Sequence, residues 1–227
     1  MGLVLGTLRL PLVVVLSGDP STAAGTNIGI SAAAAASGAL GHAREGRVSW
    51  RVVAWMAPPS VAGAVVGGLY GHLVPERGLL AAIAAVLVWN GVDLIARPVR
   101  PRPAERLRLA PAVVFGFVIG LLGGAIGVIL GTLRMPALLR AVGLSAHEAV
   151  GTNLVVGFAL GAFGLVAHAA RLEVEWGLLA TGVPGALAGA WLGARATGRI
   201  SEVALRRAIG AALLAIAVAF AVEAALR

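Results

Sequence analysis

Residues 109–133 read LAPAVVFGFVIGLLGGAIGVILGTL, a run without a single charged side chain. About 20 apolar residues in a helix span the hydrocarbon core of a bilayer. Further apolar runs occupy most of the remaining chain, at 21–41, 52–71, 78–96, 149–170, 176–194 and 208–222. The sequence therefore predicts an all-α polytopic membrane protein whose helices contact the lipid bilayer.

The charged residues agree with this class. They make up 12% of the chain, against about 25% in soluble domains. The net charge is +8 and every basic residue is an arginine, most of them in short loops between apolar runs. That pattern is typical of topology signals rather than of a nucleic-acid-binding face, so we predict no nucleic-acid partner. The absence of cysteine excludes thiolate chemistry, and we predict no cofactor and no metal site.

The chain contains an internal duplication. The heptapeptide LGTLRMP at 130–136 has a near copy, LGTLRLP, at 5–11. After a one-residue gap, AGTN at 24–27 aligns with VGTN at 150–153, an offset of 126 that also pairs His42 with His168 and Trp50 with Trp176. Such self-similarity indicates a repeated unit. We predict a first transmembrane repeat at 1–96, a linker at 97–109 and a second transmembrane repeat at 110–227.

Each repeat divides into helical segments. In the second repeat they lie at 110–127, 128–142, 147–169, 176–194 and 203–226, and in the first at 3–16, 21–43, 49–73 and 78–96. The first repeat thus lacks a counterpart of segment 110–127 at its N-terminus. We expect the native chain to begin upstream of Met1; the alternative is that this copy has lost a helix.

A short, interrupted segment recurs at the same place in both repeats. Segments 3–16 and 128–142 are shorter than a full crossing, and their glycines and prolines predict helix breaks at Gly6, Pro11, Gly127, Gly131 and Pro136. We expect Pro136 to open a half-helix. Matching broken segments in two halves point to the binding site of a transporter, the alternative being a tightly packed kinked helix.

Each broken segment contains an arginine, Arg9 in the first and Arg134 in the second. A guanidinium at membrane depth costs about 2.5–3.5 kcal/mol, and no acid lies within one helical turn of either residue. Planar donors match oxyanions, so we predict that both arginines face one cavity that binds a small anion. The alternative is an interfacial arginine whose head group reaches the water.

Neutral polar residues surround these arginines. Thr7 and Thr132 precede them by two positions, and the triplets Gly25-Thr26-Asn27 and Gly151-Thr152-Asn153 follow each broken segment. Glycine admits close approach of the backbone, and threonine and asparagine offer uncharged donors and acceptors. We predict that all of these residues line the ligand. The alternative is that the threonines and asparagines only join helices.

Arginine counts predict the orientation. The linker holds Arg97, Arg100, Arg102, Arg106 and Arg108, which predicts that it lies on the cytoplasmic side of the membrane. The arginine-rich loop at 44–51 lies on the same side as the linker, and the loop at 195–207 does so only if segments 110–127 and 128–142 make two crossings. The two repeats are then inverted relative to each other. Counting these segments as one crossing gives parallel repeats.

Three stretches of the second half resemble a known family. They are GFVIGLLGGAIGVILGTLRMPALLRAVGLSAHEAVGTNLVVG at 116–157, HAARLEVEW at 168–176 and PGALAGAWLGARATGRISEVALRRAIGAALL at 184–214. The glycine-rich helix, the glycine cluster before a proline, the Gly-Thr-Asn triplet and the late small-residue helix resemble the sulfite exporter family of the TauE/SafE type. In this chain the usual triple glycine of the family is replaced by GVILGTLRMP.

The resemblance implies a prokaryotic inner-membrane carrier for sulfite, sulfoacetate or a related small anion, driven by an ion gradient. With the paired arginines it leads us to expect an anion carrier with alternating access, and no enzyme. Proton and sodium remain open as coupling ions, as does a homo-oligomer. His42 and His168 lie near loops, where a structural role is expected and proton coupling is the alternative.

Other functions are less well supported by the residues. A cation or metal carrier would need repeated Asp, Glu, His or Met at membrane depth, and only His42 and His168 qualify. An intramembrane serine protease would need a serine within reach of a histidine, and the duplicated motifs contain no serine. A scaffold or accessory subunit without transport activity stays open because the first repeat is incomplete.

Overall fold

The computed structural model describes residues 2–96, 107–197 and 202–226. This part of the chain is helical throughout, with short connections. In the first half the helices are α1 (Gly2–Ser17), α2 (Pro20–Arg44), α3 (Trp50–Tyr70) and α4 (Glu76–Ala96). In the second half they are α5 (Leu109–Ile126), α6 (Gly131–Pro136), α7 (Ala146–Ala170), α8 (Trp176–Thr197) and α9 (Glu202–Leu226).

The all-α membrane fold predicted from the apolar runs is confirmed, and most helix ends fall within a few residues of the predicted segments. In the described part of the chain, Trp50–Leu73, Leu109–Ile126 and His147–Ala170 are long and apolar enough to cross a membrane. Large apolar side chains, among them Trp55, Val114 and Phe163, are exposed on the outside of the bundle. Such side chains are stable where the surrounding solvent is lipid.

The break predicted in the second half lies between α5 and α6. Gly127 ends α5 in the left-handed conformation with φ +69°, which glycine adopts without steric cost, and α6 begins at Gly131. Pro136, however, does not open a half-helix. It is the last residue of α6, and the chain continues directly into a wider π-helical turn at Ala137–Val142, which accommodates the proline.

The first half has no equivalent break. Gly6 and Pro11 lie inside α1, which is continuous from Gly2 to Ser17, so the break predicted at these two residues is absent. Proline removes one backbone hydrogen bond, and membrane helices tolerate this because neighbouring groups can satisfy the freed carbonyl. Equivalent sequences therefore fold differently: a whole helix in the first half and a short helix with a π-helical turn in the second.

Equivalent helices of the two halves pack against each other and run antiparallel. Between α2 and α7, a Cβ on Gly29 would contact Leu165, whereas one on Gly38 would contact Leu154. Between α4 and α9, a Cβ on Gly91 would contact Leu214, and one on Gly210 would contact Ile95. In both pairs the residue number falls on one helix as it rises on the other.

The most extensive interface joins α3 to α5, which run parallel. A Cβ on Gly63 or Gly67 would overlap the backbone of α5, and one on Gly120 or Gly124 would overlap the backbone of α3. Small residues at such an interface let two helices approach closely and gain dispersion contacts without help from water. These glycines fix the distance between α3 and α5.

We predict that Gly120→Ala lowers the stability of the fold, because the added methyl group would overlap the carbonyl oxygen of Ser60. Overpacking of this kind costs about 1–3 kcal/mol. Thermal unfolding in detergent, followed by tryptophan fluorescence, should show a midpoint several degrees below that of the wild type. The control is Gly185→Ala, since no atom lies within 4 Å of a Cβ there. Equal midpoints for the two variants would contradict the prediction.

Candidate functional site

Arg9 is hydrogen-bonded to Asn27 and Ser31 of α2. The Nε of Arg9 donates to the Asn27 Oδ1 at 2.9 Å, and its Nη2 donates to the Asn27 carbonyl at 3.1 Å and to the Ser31 hydroxyl at 2.7 Å. Asn27 in turn donates from Nδ2 to the carbonyls of Gly6 at 3.1 Å and Gly127 at 2.7 Å. One edge of the Arg9 guanidinium is thus fully engaged by protein acceptors.

Arg134 occupies the equivalent place in the second half and has no exposed surface. Its Nη1 donates to the Asn153 Oδ1 at 2.9 Å, and Asn153 donates from Nδ2 to the carbonyl of Gly131 at 3.2 Å. The bond from each asparagine to the glycine before its arginine is the same in both halves. The predicted grouping of arginine with triplet asparagine is therefore present at both places.

The two arginines differ in the edge that they use. Nε and Nη2 of Arg134 are buried and have no hydrogen-bond partner within the described part of the chain, whereas the same two nitrogens of Arg9 are bonded. The sequence gives the reason for part of this difference. At the offset of 126, the position of Ser31 is taken in the second half by Gly157, which has no hydroxyl to offer.

A buried cation with two unpaired donors is expensive for a protein to hold. Leaving a buried donor without a partner costs about 1–3 kcal/mol, and more if the group is charged. No carboxylate forms an ion pair with Arg134 among the described residues. The N–H groups of Nε and Nη2 lie on the same side of the planar guanidinium and point in the same direction. Together they match two oxygens of a single carboxylate, sulfonate or sulfite group.

The glycine and threonine of the first triplet hold the loop between α7 and α8. A Cβ on Gly25 would overlap the carbonyl oxygen of Glu173, so only glycine allows this approach. The Thr26 hydroxyl accepts the Glu175 N–H at 2.8 Å and donates to the Thr22 carbonyl at 2.8 Å. The N–H of Glu175 lies just before α8, where a helix has no backbone acceptor of its own.

The second triplet makes the same contacts in return. A Cβ on Gly151 would overlap the carbonyl oxygen of Arg47, and the Thr152 hydroxyl accepts the Ser49 N–H at 3.0 Å, just before α3. In each half, the glycine and threonine of the triplet therefore contact the loop that precedes a long helix of the other half. We call these two sets of contacts the cross-clamps.

The geometry changes the interpretation of the triplets. The glycines and the threonine hydroxyls were predicted to line the ligand, but they are engaged in the cross-clamps, and each asparagine is bonded to its arginine. Thr7 and Thr132 lie in α1 and α6, and their side chains fall outside the described residues. In the described part, the free donors near the predicted site belong to Arg134.

Two residues of this region were not predicted from the sequence. One is Ser31, whose equivalent position in the second half is occupied by Gly157. Glu173 was not singled out, yet it pairs with His168 at 2.9 Å, and the repeat sets it against Arg47. In both cases the signal was a change between equivalent positions rather than an identity.

The chain is similar to curated membrane transporters. It is 28% identical over 224 residues to a protein of Xylella fastidiosa (strain 9a5c) described as a probable membrane transporter protein, with 93% of this chain and 84% of that one covered. With YjnA of Bacillus subtilis (strain 168), described in the same words, it shares 27% identity over 213 residues, covering 86% of this chain and 82% of that one.

By fold and by these relatives, the protein is a membrane transporter. Residues 1–220 match the model of the sulfite exporter TauE/SafE family, and the chain belongs to that family. The resemblance stated from the motifs is thereby confirmed. No solved structure matches the chain.

We predict that Thr152→Val weakens the fold, because the valine has the shape of threonine but leaves the Ser49 N–H without its acceptor. The loss of such a bond costs about 1–3 kcal/mol, visible as a lower midpoint of thermal unfolding in detergent. Thr152→Ser keeps the hydroxyl and should unfold close to the wild type. An unchanged midpoint for the valine variant would contradict the cross-clamp.

Proposed function

We propose that this transporter carries a small oxyanion, and that sulfite or an organosulfonate is its substrate. The observation that supports the proposal is the buried edge of Arg134, with Nε and Nη2 unpaired in the described structure. A bound sulfur oxyanion would supply the missing charge and two acceptors at once. The name of the family points to the same class of anion.

The anion binds at Arg134 in this proposal rather than between two equivalent arginines. The edge that Arg9 would need for a bidentate anion is taken up by Asn27 and Ser31. Gly157, which stands opposite Ser31 in the repeat, leaves that edge of Arg134 without a competing hydroxyl. Arg9 then joins α1 to α2, and Arg134 receives the substrate.

A cation carrier is a poorer fit to the same geometry. The unpaired donors of Arg134 repel cations, and the described residues contain no group of three metal-ligating side chains. A scaffold without transport activity would have no use for a buried charge that lacks a partner. Both alternatives remain outcomes of the transport experiment below.

We propose further that the halves are inverted repeats and that alternating access arises from movement of one half against the other. The antiparallel packing of α2 with α7 and of α4 with α9 supports inversion, since parallel repeats would place equivalent helices side by side in the same direction. In this arrangement the loop 44–51 is cytoplasmic and the loop 171–175 lies outside the inner membrane. Linker residues 97–106, proposed to be cytoplasmic, lie outside the described residues.

The first test is anion uptake into proteoliposomes by the wild type and Arg134→Gln, with sulfite, thiosulfate, sulfoacetate and chloride compared. Loss of two charge-assisted hydrogen bonds predicts a fall in sulfite flux of about 100-fold or more. Chloride, a single atom, does not offer a separate acceptor for a straight hydrogen bond from each donor and should be carried poorly. Exposed Arg51→Gln is the control and should transport normally. Undiminished flux in Arg134→Gln would move the site elsewhere.

Thermal unfolding makes the test independent of transport. Sulfite should raise the unfolding midpoint of the wild type, because a ligand that binds only the folded state stabilises it, and should leave Arg134→Gln unchanged. Gly157→Ser introduces the hydroxyl that Ser31 supplies in the first half, so it should reduce the sulfite-induced shift. A full shift in both variants would place the anion away from Arg134.

The orientation of the halves is tested by single cysteines, since the chain has none of its own. Gly46→Cys and Leu172→Cys lie in equivalent exposed loops of the two halves. With inverted repeats, a membrane-impermeant maleimide added to intact cells should label Leu172→Cys but not Gly46→Cys, which becomes reactive after the cells are opened. Labelling of both from the same side would indicate parallel repeats.

A further inference from the structure

His168 is a buried histidine with a defined hydrogen bond on each ring nitrogen. Only 1% of the residue is exposed. Its Nε2 lies 2.8 Å from the carbonyl oxygen of Gly124 on α5, and its Nδ1 lies 2.9 Å from Oε2 of Glu173 in the loop before α8. Glu173 is itself only slightly exposed, and its Oε1 accepts a bond from Nε of Arg171 at 3.2 Å.

These contacts require a proton between His168 and Glu173. A carbonyl oxygen only accepts, so Nε2 must donate to Gly124 and the first ring proton is fixed there. Nδ1 then has a hydrogen only if the ring is cationic. The contact with Oε2 is a hydrogen bond only if the ring is an imidazolium beside a carboxylate, or the ring is neutral beside a protonated acid. Either way the pair holds one shared proton and no net charge.

Loss of that proton changes the geometry. A carboxylate oxygen would then face the bare lone pair of Nδ1, and the pair would carry a negative charge whose ion-pair partner among the described residues is the exposed Arg171. The hydrogen bond that joins the loop to His168 would then be lost. This loop is the one held by Gly25 and Thr26 in the first cross-clamp. The next residue on α2, Asn27, holds Arg9.

The equivalent place in the first half lacks the acid. His42 contacts Gly151 as His168 contacts Gly25, but the position of Glu173 is taken by Arg47, whose partner Glu45 stands where the second half has Arg171. The two charges are exchanged between the halves. Nδ1 of His42 is buried without a hydrogen-bond partner in the described structure. The proton can therefore be shared in one half and not in the other.

We propose that His168 and Glu173 form a proton-binding site that controls the first cross-clamp, and so couples a proton to movement of the halves. The coupling to anion transport rests on the proposed function; the proton site itself does not. When the pair is protonated, the loop 171–175 is held against α2. When the proton leaves to water through Glu173, the hydrogen bond is lost and the loop is released.

The charged groups that the structure describes around the ring all belong to the α7–α8 loop. Glu173 contacts Nδ1, and Arg171 contacts Glu173. From the packed helices, α2 presents Gly25, α3 presents Gly68 and α5 presents the carbonyl of Gly124. Among the described residues, a pH response of this region would therefore come from His168 and Glu173, with Arg171 as the ion-pair partner of Glu173.

The site is tested first by NMR of the full chain in lipid nanodiscs, with ¹⁵N-labelled histidine and no anion added. His168→Gln identifies the signals of His168 by their disappearance. In an experiment run from about pH 5 to about pH 9, Nδ1 in the wild type should change from a protonated or proton-sharing signal to a bare one, while Nε2 stays protonated. A Nδ1 signal that is bare at every pH, or protonated at every pH, overturns the proposal.

Glu173→Gln distinguishes the effect of the shared proton from the effect of the hydrogen bond to His168. The amide of this variant donates to Nδ1 and accepts from Arg171, so the hydrogen bond persists without a titrating acid. Nδ1 should then stay unprotonated across the same range of pH. His42→Gln is the matched control, because His42 has the same place in the repeat and no acid opposite it. It should leave the signals of His168 unchanged.

Coupling is tested by the pH dependence of thiosulfate uptake into proteoliposomes, since thiosulfate remains a dianion over this range. A step that depends on one proton changes rate by up to about tenfold per pH unit, and we expect such a dependence in the wild type and in His42→Gln. Glu173→Gln should transport with little dependence on pH. The wild-type dependence persisting in Glu173→Gln would refute coupling. Absence of thiosulfate flux in the wild type would count against the proposed function, while the NMR titration still decides the proton site.

Discussion

Arg134 must be kept as a cation inside the protein, and much of the surrounding structure follows from that constraint. An arginine stays protonated, so its cost in an apolar interior is reduced only by acceptors or by an anion. Asn153 supplies one acceptor and is itself held by the carbonyl of Gly131. The left-handed turn at Gly127 and the short α6 bring this backbone to the asparagine. The interrupted helix is therefore part of the support for a buried charge.

The cross-clamps explain why the glycine and threonine of each triplet occur beside the asparagine. The asparagine faces the arginine of its own half, while the glycine and threonine hold a loop of the other half. A single short motif thus connects the charged centre of one half to the start of a long helix in the other. If α3 or α8 moves relative to the triplets, the cross-clamp contacts must either break or move with the helix. The position of each half is therefore linked to that of the other.

The sequence predicted the helices well, because uninterrupted apolar runs leave the backbone little alternative in a membrane. It also predicted which arginines and triplets belong together. It did not predict that α1 is continuous through Pro11, since the same Gly and Pro pattern breaks the chain in the second half. Nor did it predict which guanidinium edge is free or that Thr26 accepts from Glu175, because both depend on the approach of segments distant in sequence.

The contrasts of Ser31 with Gly157 and of Arg47 with Glu173 were present in the sequence. A difference between equivalent positions does not by itself reveal which side chains meet, because that depends on the packing of distant segments.

The two proposed sites, for an anion and for a proton, lie near opposite ends of one helix, α7. Asn153, beside Arg134, lies near the start of α7, and His168 lies near its end, about 22 Å away at 1.5 Å per residue. Anion and proton therefore cannot interact by contact, and direct Coulomb attraction over that distance is weak where water enters. Coupling has to pass through an element with two arrangements that both sites bias. We propose the antiparallel pair of α2 and α7 as this element, because each helix has a polar centre at one end and contacts a loop of the other half there. The two ends share the same sequence motif and differ at positions 157 and 173, and in our proposals this difference lets one end bind an anion and the other a proton.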